Sequence, residues 1–203
     1  MSIIYLKKMG IVAAVLFLAG GIVGSSFGEQ AGEPQSAAGV CYHKVCFPAK
    51  AELGGCSLPL RSAGKKDFWK FSLYDAGLYL QEGVSKQDVL TDIPKVLVLR
   101  YRRSIPAKKI IEAADHKLAQ NPDIDLAAIR ERVNYLHSLY RSVKKGDEYA
   151  LVYDPVRGIQ LYFNGIKQGE PIAGYDFAEA YFGVWLSKHV VCRKLRGELL
   201  DLN

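Results

Sequence analysis

Phe68-Trp69-Lys70-Phe71-Ser72-Leu73-Tyr74, followed after Asp75-Ala76 by Gly77-Leu78-Tyr79-Leu80-Gln81, is the stretch whose reading decides the fold. Both runs are rich in aromatic and apolar residues, have turn residues around them and are predicted to be strands. Upstream, Val40–Phe47 reads as another strand, and downstream so does Val96–Arg103. Pro94 and Pro106 bracket that fourth strand, and Pro106 stands where a helix should open.

Beyond Pro106 the period changes. Along Lys108–Gln120, Ile111, Ala114 and Leu118 mark one helical face, and Asn121-Pro122-Asp123 breaks it. Leu126, Ile129, Val133, Leu136, Tyr140 and Val143 then draw one apolar stripe. Asp125 is expected to cap that second helix, and Lys144, Lys145 and Gly146 to close it. His137 lies beside the stripe as a partly buried polar tip. A hairpin follows, Tyr149–Tyr153 with Ile159–Phe163, and Asn164-Gly165 is the strongest short turn signal in the chain. Asp176 and Glu179 have capping-box spacing for a helix through Ser187 that is apolar almost all round and so predicted buried. A last helix spans about Cys192 to Leu202. Strands first and helices packed mainly on one face of a largely antiparallel sheet make an α+β fold.

The 203 residues are 49% hydrophobic and 11% aromatic, which excludes a disordered chain and a polytopic membrane protein. Residues 1–28 hold no acidic side chain. Lys7 and Lys8 precede a stretch that is apolar through Val23, and Ser25, Ser26 and Gly28 end it. That is the pattern of a secretory signal peptide cut before Glu29; an uncleaved anchor is the competing reading. Residues 29–39 read as a flexible leader and 40–203 as the domain, which places the mature protein in a periplasm or outside the cell. Without Lys7 and Lys8 the net charge falls from +6 to +4, an ordinary surface and no nucleic-acid footprint. No membrane contact is expected once the leader is removed.

Cys41, Cys46, Cys56 and Cys192 fit disulfides in an oxidising compartment. Four cysteines allow three full pairings, and Cys46–Cys56 or Cys41–Cys46 needs no distant segment. With His43 the first three also offer a Cys3His metal set. Alternation along a single strand argues against that, because Cys46 would face away from Cys41 and His43. Nucleophile-elbow, phosphate-loop and zinc-helix signatures are all missing, and no cofactor is expected. Twelve tyrosines and eight phenylalanines suit either a packed core or a cleft for an apolar ligand.

Several fragments in fixed order carry the reading further: Leu60-Arg61-Ser62-Ala63-Gly64-Lys65-Lys66, Phe68-Trp69-Lys70-Phe71, Gly77-Leu78-Tyr79-Leu80, Lys145-Gly146-Asp147, Asn164-Gly165, Asp176-Phe177-Ala178, Trp185-Leu186-Ser187 and Leu195 with Leu199-Leu200. Over about residues 39–202 the chain resembles the chalcone isomerase-like proteins of bacteria. The resemblance implies an open-faced β-sandwich, a long antiparallel sheet backed by a helical layer with a ligand cleft between. In the plant isomerases the chemistry is addition of a phenolate to an enone, which needs a cation, hydroxyls and a shaped cleft.

By that resemblance the family's arginine falls on Lys66, with Arg61 a substitute only in another register, and a hydroxyl is kept as Ser72. Lysine keeps the charge and loses the planar fork. The family's tyrosine and asparagine fall on Lys108 and Asp115, and its threonine on Val184, none equivalent. With one oxyanion donor worth about 3–4 kcal/mol, these losses favour a non-catalytic relative over an intramolecular lyase or isomerase. The same fold serves in plants as a fatty-acid binder. By analogy Lys66, with Ser72 and with Tyr74 or Tyr79, would receive a small apolar acid. The plainer reading makes Lys66 a solvated turn lysine and leaves Ser72 and Tyr74 to strand packing.

Overall fold

The computed structural model describes residues 39–190 and 192–202. The signal-peptide reading and nearly all of the leader therefore lie outside the described residues, while Gly39, expected to end the leader, opens a strand. The elements run β1 (Gly39–Tyr42), β2 (Val45–Pro48), β3 (Lys50–Leu53), β4 (Cys56–Phe68), β5 (Phe71–Leu80), β6 (Lys95–Tyr101), α1 (Ala107–Ala119), α2 (Leu126–Ser138), β7 (Glu148–Asp154), β8 (Gly158–Phe163), β9 (Ile166–Ile172), α3 (Tyr175–Leu186) and α4 (Arg193–Leu199). Strands β3 to β9 form one seven-stranded sheet in chain order, each pair antiparallel, and β1–β2 form a separate two-stranded ribbon. This is the α+β architecture expected from the sequence.

Two predicted strands turn out to be hairpins. Val40–Phe47 reverses at His43-Lys44, whose φ values of 48° and 65° match the all-positive pattern of a type I′ turn. Neither residue is the Gly or Asn that advertises such a turn. The reversal puts Cys41 directly opposite Cys46, and the two form the disulfide. The alternation argument used against a shared face therefore fails, although the bond itself takes two donors from the imagined Cys3His set. Cys56 and Cys192 are free thiols, so Cys46–Cys56 does not form.

The second reversal falls at Trp69-Lys70, inside the run Phe68–Tyr74. Phe68 ends β4, Phe71 opens β5, and β5 continues unbroken through Asp75-Ala76. Strand β4 itself was not legible because Arg61 is an extra residue where its pairing shifts between Leu60 and Ser62, so its side-chain alternation changes phase; a second shift, between Lys66 and Asp67, leaves Leu73 of β5 as the extra residue.

Both faces of this sheet are apolar. On one, Leu78, Leu80, Leu97, Leu99, Leu151 and Leu161 pack under the helices. On the other, Leu58, Leu60, Tyr79, Val96, Val98 and Val152 are covered by Val45 and Phe47 of the β1–β2 ribbon. Helix α3 lies deepest, with nine of its twelve residues buried. No capping box opens it. Gly174 is the N-cap, and the Asp176 carboxylate instead meets Arg132 of α2 at 2.7 and 2.5 Å, which ties two helices together. Asp125 does cap α2, accepting from the backbone N–H of Ala127 and Ala128. That helix ends at Ser138, short of the predicted Gly146, because Val143 leaves it to bridge Ile105. Helix α4 docks on β4 through Ser62, whose hydroxyl donates to the Leu199 carbonyl at 2.6 Å, and through the Lys65 N–H to Glu198. Gly64 permits the approach, since a Cβ there would sit 2.7 Å from the Cβ of Glu198.

Among the described residues Lys95 is the one lysine in the core, 1% exposed. Its Nζ donates to the Thr91 carbonyl at 2.7 Å and lies 4.7 Å from the Tyr153 ring and 5.7 Å from that of Phe182. Burial pulls its pKa down to about 8, against the opposing pull of Asp92 and Glu179. Between that value and the ordinary 10.5 the unfolded chain holds a proton that the folded chain has released, so this group makes stability rise with pH. From about pH 8 to about pH 10, urea unfolding should show the native protein gaining ~2 kcal/mol relative to Lys95→Met. A difference that stays flat across that range would show that Lys95 keeps an ordinary pKa.

Candidate functional site

The helical face is incompletely filled near the start of α1. There a cavity of about 380 Å³ lies between the β4–β6 part of the sheet and helices α1 and α3. The sheet contributes Leu73, Tyr74, Leu99 and Tyr101; α1 contributes Ile110, Ala113 and Ala114; α3 contributes Val184 and Trp185. Ala113 and Ala114 line this part of α1 with single methyl groups, which leave space that larger side chains would fill. A volume of this size falls in the range of roughly 300–1,000 Å³ typical of small-molecule sites.

The buried wall is phenolic. Tyr74 and Tyr101 pack at 5.7 Å between ring centroids, Tyr101 on Tyr149 at 6.2 Å, and Tyr149 on Tyr140 at 4.8 Å. Trp185 Nε1 donates to the Tyr74 hydroxyl at 3.1 Å, and Tyr181 donates to Tyr140 at 3.2 Å. Burial pushes the pKa of Tyr74, Tyr101 and Tyr140 up. These phenols stay protonated, so they can donate hydrogen bonds but not act as phenolate bases.

The rim is cationic. Lys66, Arg103 and Lys109 border the opening. Arg103 stacks 4.8 Å over Phe71, and Lys109 meets Glu112 at 2.8 Å. Lys66 makes no ion pair among the described residues. It is the cross-strand partner of Tyr74, so β4–β5 pairing brings these two candidates to one wall. The structure thus moves Lys66 from a solvated turn to a cavity edge, half-buried.

The other candidates lie elsewhere. Tyr79 is five residues from Tyr74 on the same strand and projects to the opposite face, where its hydroxyl donates to the Pro48 carbonyl at 3.2 Å. Ser72 donates to Asp67 at 2.6 Å and borders a separate polar depression with Lys65, Arg102 and Glu198. Arg61 reaches the Gln81 carbonyl, away from the cavity. Lys108 is exposed on α1 and 3.9 Å from Glu112. Asp115 is held by Arg130 at 2.8 Å and faces Nδ1 of the buried His137 at 3.6 Å. Val184 does line the cavity, where a donor would be needed for catalysis. Sequence reasoning missed Tyr101, Tyr140, Arg103 and Trp185. Tyr140 was placed on a helical stripe and Tyr101 in a strand, and neither period tells which face of the sheet stays uncovered.

A family model described as chalcone isomerase-like matches residues 40–201. Among solved structures, a fatty-acid binding protein of Arabidopsis thaliana is similar with a TM-score of 0.61 at 15% identity, over 80% of this chain and 96% of that one. At that identity the likeness is one of fold. No curated protein matches the chain.

The Trp185–Tyr74 bond gives a direct test of how the wall is built. Tyr74→Phe leaves a buried indole N–H without an acceptor and should cost ~1–3 kcal/mol in chemical unfolding. Adding Trp185→Phe should cost clearly less in that background than in the native chain, whereas simple additivity would show that the bond carries no coupling.

Proposed function

Since the chain belongs to the chalcone isomerase-like family, we propose that it is an exported, non-catalytic binding protein for a small apolar or amphipathic acid, a fatty acid being the type case. One observation carries this reading: an apolar cavity with buried phenols inside and cations at its edge. An acyl chain would lie against Leu73, Leu99, Ile110 and Val184. Its carboxylate would meet Lys66, a rim cation with no competing carboxylate among the described residues that also pairs across the strands with Tyr74, and charge-assisted hydrogen bonds of this type are the strong ones. Tyr74, directly across the strand pair from Lys66, lines the same wall.

The fatty-acid binding protein of Arabidopsis thaliana, alike in fold, adds support by analogy. The isomerase alternative gains none. Lys108 and Asp115, at the positions of its tyrosine and asparagine, are absent from the cavity wall, and Val184 offers no donor. Export is supported by the basic, then apolar, then small-residue order of residues 1–28, and by a disulfide that suits an oxidising compartment. Bacterial origin rests on the fragments quoted for the resemblance.

Titration with a fluorescent fatty acid should saturate, and Lys66→Ala should raise Kd about tenfold or more, as expected for losing one charge-assisted bond. Chalcone absorbance should decay no faster with protein than in buffer. Absence of saturable acyl binding would sink the reading, and an unchanged Kd in Lys66→Ala would move the anchor to another rim cation.

A further inference from the structure

The tip of the β4–β5 hairpin is at odds with the rest of the surface. Phe68, Trp69 and Phe71 are 66%, 83% and 51% exposed, side by side, whereas the other large exposed apolar side chains among the described residues are scattered singly along the sequence. Trp69 also has a φ of 54°, a region that disfavours bulky side chains and that hairpins usually give to glycine. Its indole is 83% exposed, and among the described residues its one ring contact is with the Lys70 ammonium, 5.3 Å from the centroid. Packing inside this chain does not account for a tryptophan there.

The surrounding charge points to the partner. Lys70 lies over Trp69 and Arg103 over Phe71, with Lys66 and Lys109 behind them at the cavity rim. The two nearby carboxylates are already engaged, Asp67 by Ser72 and Lys65 and Glu112 by Lys109 and Lys108. Aromatic rings interleaved with lysine and arginine match the headgroup layer of a bilayer, where rings sit at the boundary and cations meet lipid phosphates. Phe68 belongs to the tip and to the cavity wall at once, so the apolar surface is continuous from one to the other. Among the described residues no helix is long and apolar enough to cross a membrane, so contact through this tip is peripheral.

We propose that the β4–β5 tip docks on an anionic lipid bilayer, with Trp69 and Phe71 in the headgroup boundary and the cavity mouth held against the membrane. This departs from the expectation that only the leader meets lipid. Its use for passing an acyl ligand between bilayer and cavity rests on the function proposed above; the docking itself does not.

The test uses the full chain and vesicles of phosphatidylglycerol and phosphatidylcholine with brominated acyl chains. The chain has two tryptophans and Trp185 is 7% exposed, so Trp69→Phe supplies the background to subtract. Trp69 emission should be quenched by the mixed vesicles and not by phosphatidylcholine alone. Lys70→Glu combined with Phe71→Ser, neither of which lines the cavity, should weaken that vesicle response about tenfold or more while acyl titration is unchanged. Sedimentation with vesicles while Trp69 stays unquenched would assign attachment to the apolar leader and overturn the proposal. A Trp69-dependent dimer in vesicle-free solution, without quenching, would overturn it in favour of a second copy. Quenching without saturable acyl binding would keep the docking and sink the ligand reading, and acyl binding without quenching would do the reverse.

Discussion

A sheet that is apolar on both faces must be covered on both, and the rest of the molecule answers that demand. Leu97, Leu99 and Leu151 look one way, Val96, Val98 and Val152 the other, and water is excluded from each. At about 25 cal/mol per Å² of apolar surface, an uncovered face would forfeit much of the stability a domain of this size has. Four helices close one side. On the other side the β1–β2 ribbon lays Val45 and Phe47 over the strands, held in shape by Cys41–Cys46. The ribbon explains why an open-faced sandwich does not expose a second greasy surface.

The cavity is where this coverage is deliberately thin. Helix α3 supplies bulk and is buried on almost all sides, so it fixes the height of the helical layer. Helix α1 then spans toward the sheet with alanines at 113 and 114, and the gap beneath them remains. Trp185 and the tyrosines brace the gap, since Trp185 is bonded to Tyr74 and Tyr181 to Tyr140, and the Tyr140 ring packs on Tyr149. Burial keeps those phenols neutral, while positive charge stays at the rim where water can solvate it. The result separates an apolar interior from an anion-attracting edge. That separation suits binding an amphipathic acid better than it suits proton transfer.

Much of this was legible in the chain. The strand-then-helix order, the apolar face of α1, the all-round apolar character of α3, the existence of α4, the Asp125 cap and the Asn164-Gly165 turn all come from local patterns that the fold respects. The failures have local causes too. His43-Lys44 and Trp69-Lys70 turn without the usual turn residues, so two hairpins read as strands. Asp176 carries a capping spacing but is claimed by Arg132 from another helix, because a bidentate ion pair outcompetes a cap. The α2 stripe runs on through Tyr140 and Val143 because burial, not helicity, is what a stripe reports.

The sequence by itself determined the class of the fold, the order of its elements and the family, because these follow from short-range periodicity and from motifs in fixed order. Through the family resemblance it also offered Lys66 with Ser72 and with Tyr74 or Tyr79. Tertiary structure alone decided that Lys66 and Tyr74 share a wall while Tyr79 and Ser72 do not, since β5 runs unbroken from Tyr74 to Tyr79 and alternation turns Tyr79 away, while the register shift at Leu73 turns Ser72 away. It alone decided the cysteine pairing, through a reversal that no turn residue signals. It alone revealed the cavity, because empty space is a property of what several distant elements fail to fill, and no single segment encodes it.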